Sequence, residues 1–152
     1  MSGGLRAAEL PRQSYLPMAQ ALQAAQAALK KCEAGGYRVS VAVVDRGGVV
    51  KALLRSDGAG VHTVDSSRKK AYTAASLRQP TQKLARLIAD KPDLQALRDM
   101  NPEILVLGGG VPASVKGEVV GAIGVGGAPG ARLDEACAKA GLQAIDALPK
   151  PE

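Results

Sequence analysis

Residues 39–54 read Val-Ser-Val-Ala-Val-Val-Asp-Arg-Gly-Gly-Val-Val-Lys-Ala-Leu-Leu, and the fold turns on this stretch. The run 39–44 is rich in valine, Asp45-Arg46-Gly47-Gly48 is turn chemistry, and 49–54 is a second apolar run of similar length. That pattern predicts a β-hairpin. A second hairpin is predicted downstream from 111–115, a Lys116-Gly117 turn and 118–125, where Gly121 and Gly124 mark close packing. A short strand-like run at 104–107 precedes it and is broken by Gly108-Gly109-Gly110. Tight turns inside both groups argue for antiparallel pairing, because parallel neighbours need long crossovers.

Helical periodicity surrounds these strands. Met18, Leu22, Ala25, Leu29 and Cys32 recur at spacings of three and four across 16–33, and Gly35-Gly36 supplies a stop. Further helices are predicted over 63–77, 81–88 (beyond Pro80) and 133–148, with an irregular connection at 89–103. The order αββα(α)βββα predicts an α/β (α+β) domain, with a single antiparallel sheet of about five strands covered by helices. A chain of 152 residues suits one core. We assign residues 1–14 to a flexible arm, 15–148 to the domain and 149–152 to a short tail.

Composition excludes several functions. With no Trp, no Phe and three Tyr, the interior must be built from small aliphatic residues and glycine. The net charge of +6 is scattered, with Arg6 and Arg12 near the start and Lys150 near the end, and no aromatic residues alternate with the cations. No nucleic-acid surface is expected. Cys32 and Cys137 have no CxxC spacing or neighbouring His, so they are expected to be buried small hydrophobes rather than zinc ligands or a redox pair. No run reaches signal-peptide or membrane-span character, so a cytoplasmic location and no membrane partner are expected.

Several blocks in order carry a resemblance. They are Glu33-Ala34-Gly35-Gly36-Tyr37, Val41 through Gly48, Leu54-Arg55-Ser56-Asp57-Gly58-Ala59, Lys70-Ala71-Tyr72-Thr73-Ala74, Gly108-Gly109-Gly110-Val111-Pro112 and Gly117 through Val125. Together, over roughly residues 15–147, the chain resembles the GlcG/HbpS-type haem-degrading family, which is also found as the C-terminal domain of PduO-type proteins. The resemblance implies a profilin-like or PAS-like layered domain, assembly of identical copies into dimers and octamers, and haem or iron as the cofactor of some members. The opening-region His associated with haem in PduO-type domains has no counterpart here. The Thr implicated in secreted haem-binding members matches Thr73.

The residues themselves nominate a site around His62, the only histidine, which follows a Gly-rich loop at the start of a predicted helix. At 100° per residue, Ser66, Lys69, Lys70 and Thr73 share its face. Arg55 and Asp57 converge there if the loop is tight. This set offers a titratable base (His62), a carboxylate (Asp57) and anion anchors (Arg55, Lys70), with Thr73 and the glycines Gly109, Gly110 and Gly126 lining the same pocket. It suits a small carboxylated ligand, or haem with His62 as the metal ligand. The glycine blocks lack a Walker Lys-Ser/Thr, and Pro129 stands where a dinucleotide fingerprint needs its last glycine, so a nucleotide site is not expected. Three functions remain open: a small-ligand or haem-binding oligomer, an enzyme using His62 or Asp57 as acid or base on a small acid, and an accessory subunit. For each nominated residue a structural role is the competing explanation: a solvated helix face, an ion pair fixing a turn, or glycines required by backbone geometry.

Overall fold

The structure is a computed structural model describing residues 3–4 and 8–151. Arg6 and most of the first seven residues therefore lie outside it. Four α-helices and four strands follow in the order α1 (Met18–Ala34), β1 (Ser40–Asp45), β2 (Val50–Arg55), α2 (His62–Leu77), α3 (Thr81–Asp90), a 3₁₀ segment (Pro92–Asp99), β3 (Gly110–Val115), β4 (Glu118–Gly126) and α4 (Ala131–Gln143). The strands form one antiparallel sheet in the order β2-β1-β4-β3.

Both predicted hairpins are present. In the first, the Asp45 carboxylate accepts the Gly47 and Val49 amides, and Gly48 takes φ 82°. In the second, Lys116 and Gly117 take φ 51° and 78°, the paired left-handed geometry of a two-residue hairpin turn. The sheet has four strands rather than about five. Residues 104–107 run beside α2 outside the ladder, and the Leu105 N–H donates to Thr73 Oγ1 at 2.8 Å instead of to a strand. The last helix also ends earlier than its periodicity predicts, at Gln143. Beyond it the Ala147 carbonyl accepts the Ser114 N–H at 2.8 Å, fastening the following residues to the edge strand β3.

The sheet is covered on both faces. Val39, Val41, Val43, Val111, Ile123 and Val125 point to α1 and α4, whose alanines pack closely together. Ala42, Val44 and Ala122 point the other way, to α2. The two cysteines are not separate hydrophobes. Cys32 of α1 and Cys137 of α4 form a disulfide with Cα atoms 5.6 Å apart, so the thiol expectation is corrected. Their 105-residue separation hid the pairing in the sequence, since spacing along the chain says nothing about proximity across a helix pair.

At Ser14 the leading segment is tied down. The Arg46 guanidinium donates to the Ser14 carbonyl (3.2 Å) and to Glu118 Oε1 (2.7 Å), and that carboxylate accepts the Ser14 N–H at 3.3 Å. Among the described residues, no helix is long and apolar enough to cross a membrane.

Candidate functional site

Helix α2 reaches the sheet through glycine. A Cβ added at Gly124 would collide with the Ser67 carbonyl oxygen, one at Gly110 with the Lys70 carbonyl, and one at Gly126 with the Ser66 hydroxyl. The absence of side chains lets helix backbone lie directly on strand backbone. What α2 buries is consequently a mixture of small residues, polar and alanine, with one lysine: Thr63, Ser67, Lys70, Ala71, Thr73, Ala74 and Ala75. Thr63 donates to the Gly60 carbonyl at 2.6 Å and bonds Ser40 Oγ at 2.8 Å; Ser67 donates to the Val64 carbonyl at 3.0 Å.

This arrangement divides the residues nominated by sequence. Lys70 and Thr73 turn inward, away from His62. The Lys70 side chain is 2 % exposed, and its ammonium donates to the Val125 carbonyl and to Asp134 Oδ2, each at 2.9 Å. It is therefore a buried structural cation rather than an anion anchor on an open face. Asp134 itself also accepts the Ala128 N–H at 3.0 Å through its other oxygen. Burial pushes the Asp134 carboxyl up, against the opposing pull of the Lys70 ammonium and the backbone donors. Thr73 is fully buried; its hydroxyl donates to the Lys69 carbonyl and accepts Leu105 N–H, both at 2.8 Å, which accounts for its hydrogen bonding structurally. All three nominated glycines are buried: Gly109 lies beside the Lys70 ammonium, Gly110 against the Lys70 carbonyl and Gly126 against Ser66, so α2 itself fills the space over them. Helical arithmetic placed Lys70 and Thr73 near His62, but sheet contact rather than polarity decides which stripe of α2 faces in.

His62, Arg55 and Asp57 are exposed. Arg55 spends Nε and Nη2 on the Ala59 carbonyl at 3.1 and 2.9 Å, closing the 55–60 loop without an ion pair to Asp57. The His62 ring lies against Gly60, where an added Cβ would sit 2.7 Å from Cε1. Among the described residues, no hydrogen bond joins His62 to Asp57, and no group of three His, Cys, Asp or Glu could hold a metal ion. The sequence reading missed Asp134, the partner of Lys70, because the acid and the base stand 64 positions apart.

Comparison with known proteins supplies the context. The family described as haem-degrading, HbpS-like proteins matches residues 16–143. The chain belongs to this family. It is 43 % identical to a double mutant of Streptomyces reticuli HbpS, with a TM-score of 0.85 over 95 % of this chain and 97 % of that one. An uncharacterised 15.0 kDa protein of Citrobacter freundii is 37 % identical over 74 % of this chain and 80 % of its own length. Escherichia coli GlcG is 35 % identical over 63 % and 69 % respectively.

The family's haem raises a question of fit. Imidazole is a proper axial donor to haem iron, and His62 is accessible. Its surroundings do not enclose a macrocycle: the adjoining Val61 is 81 % exposed, and the loop before it is glycine-rich. One chain thus offers an exposed imidazole beside a single exposed valine.

Proposed function

We propose that the protein binds a haem-type tetrapyrrole at its surface, as an assembly of identical copies, with His62 as axial ligand to the iron. The observation that carries this reading is the state of the imidazole. It is exposed, has no hydrogen-bond partner among the described residues and stands beside the exposed Val61. The family's description as haem-degrading supports the ligand class. When bound, haem supplies a redox-active iron; the chain's own part is to present an accessible imidazole nitrogen. The missing wall belongs to a second copy. Exposed Tyr15, Met18, Val50 and Leu53 leave apolar surface of the kind that copies bury against one another.

Haem titration with light scattering tests this. The expected result is a saturable Soret shift, lost in His62→Ala, from a species larger than one chain. A Soret shift that survives His62→Ala removes His62 as ligand, and the absence of any saturable change overturns haem binding altogether.

A further inference from the structure

At the opposite end of α2 from His62 lies a groove of about 530 Å³. Sixteen helical residues separate the two places, roughly 24 Å at the ordinary rise per residue. None of the residues nominated from sequence lines it. The groove is large enough for a small-molecule ligand, and its lining has the composition of such sites, an apolar surface with a few polar groups at its edge.

Its apolar wall comes from Val111 and Pro112 of β3, Val119 of β4 and Leu148 beyond α4. Its charge comes from Arg78, Lys83, Lys139 and Lys150, and among the described residues that line it none is acidic. Lys139 is partly neutralised by Glu135 at 2.6 Å; Arg78 and Lys150 have no ion-pair partner among the described residues. The groove also gathers Pro80, Pro112, Pro149 and Pro151. Proline holds its φ fixed and has no amide hydrogen, so these positions have less backbone freedom to lose when a ligand arrives. The wall at Leu148 is held by the Ala147–Ser114 backbone bond described above.

Arg78 adds a second, independent sign. It caps α2 with φ 55° and ψ 35°, a left-handed conformation for which glycine is the usual residue. A side chain kept at a glycine position bears a backbone cost, and such positions concentrate where the side chain has work to do.

We propose that this groove binds a small amphipathic carboxylate, its apolar body against Val111, Val119 and Leu148 and its head on the Arg78 guanidinium, with the lysines contributing a positive field. The proposal does not depend on haem or on His62.

Decanoate serves as the probe, with decanol and decyltrimethylammonium as controls, read by calorimetry and by methyl NMR shifts of Val111, Val119 and Leu148. Decanoate is expected to give saturable shifts at these methyls, with both controls at least about tenfold weaker, the scale of one charge-assisted hydrogen bond. Arg78→Gly removes the head's partner while relieving the backbone, so the fold is kept; decanoate affinity should fall about tenfold while His62→Ala leaves it unchanged. Equal binding of decanoate and decanol, an Arg78→Gly protein that binds as tightly as the parent, or no saturable shifts at the three methyls would each overturn the proposal.

Discussion

The two faces of the sheet are covered by different means. On the α1/α4 side, valine and isoleucine side chains fill the interface, and the Cys32–Cys137 bridge ties the covering helices together. On the α2 side, Gly110, Gly124 and Gly126 bring backbone against backbone, and a buried ion pair reaches around the sheet to α4. The first face is held by apolar burial, which is non-directional and tolerates volume-conserving change. The second depends on close approach and on buried polar groups held by specific partners, so it tolerates little. His62 and the cationic groove occupy the two ends of α2, the helix fixed by the less tolerant means.

The largest expected effect falls on the tolerant face. Replacing both cysteines with alanine opens a loop of 105 residues. Loop-closure entropy for a crosslink of that span gives about 4–5 kcal/mol of lost stability, measured by urea unfolding. A loss below ~1 kcal/mol would show that side-chain packing alone holds α1 to α4. The bridge and the cytoplasmic expectation pull in opposite directions, because disulfides persist in oxidising compartments. Trapping free thiols in intact cells before lysis decides between them.

Next comes the ion pair. Lys70→Met leaves Asp134 buried without its cation and is expected to cost about 3–5 kcal/mol, while Lys70→Met with Asp134→Leu costs less, since neither charge is then stranded. A double variant as damaged as the single one would mean that the hydrogen bonds to Val125 and Ala128, rather than charge, are what the pair provides.

Neighbouring residues then compare the faces directly. Ile123 points to α4 and Gly124 to α2. Ile123→Val removes one methylene and should cost about 1 kcal/mol. Gly124→Ala pushes a methyl into the Ser67 carbonyl, where backbone must move, and should cost about 3 kcal/mol. Equal losses would erase the distinction between the faces. Gly130→Ala, at an extended φ of 178° with nothing within 4 Å, is the neutral control.

Much of this architecture was legible in the chain. The two hairpins announce themselves through Asp45-Arg46-Gly47-Gly48 and Lys116-Gly117, because turn chemistry is local. The glycines of β4 announce close packing for the same reason. What stayed hidden is pairing at long range: Cys32 with Cys137, Lys70 with Asp134, and Thr73 with the Leu105 amide that keeps 104–107 out of the sheet. The His62 site was half legible. Its loop and exposed ring follow from Gly58, Gly60 and the helix start, but the polar stripe of α2 reads as one pocket face shared with His62, or as a solvated face, whereas glycine on the sheet draws Lys70 and Thr73 inward. The groove was illegible, since β3, β4, the α2 terminus and the residues after α4 meet only in the folded chain.

The smallest predicted effect is a difference in sign between two acids. Burial raises the Asp134 carboxyl above its ordinary value, whereas the Arg46 guanidinium, followed by Ser14, lowers that of the exposed Glu118. For Asp134 the folded state holds its proton to higher pH than the unfolded chain does. Its contribution is thus fullest below the ordinary carboxylate value and declines as pH rises through the raised one. For Glu118 the folded state releases its proton first, so its contribution is present above the ordinary value and is lost as pH falls through the lowered one. Measured as stability against pH, the parent should lose ground to Asp134→Asn with rising pH just above the ordinary aspartate range. It should gain on Glu118→Gln with rising pH across the range just below the ordinary glutamate value. Slopes of the same sign would mean that Lys70 outweighs burial at Asp134, and that the α2 face holds a true stabilising pair rather than a desolvated acid kept for its geometry.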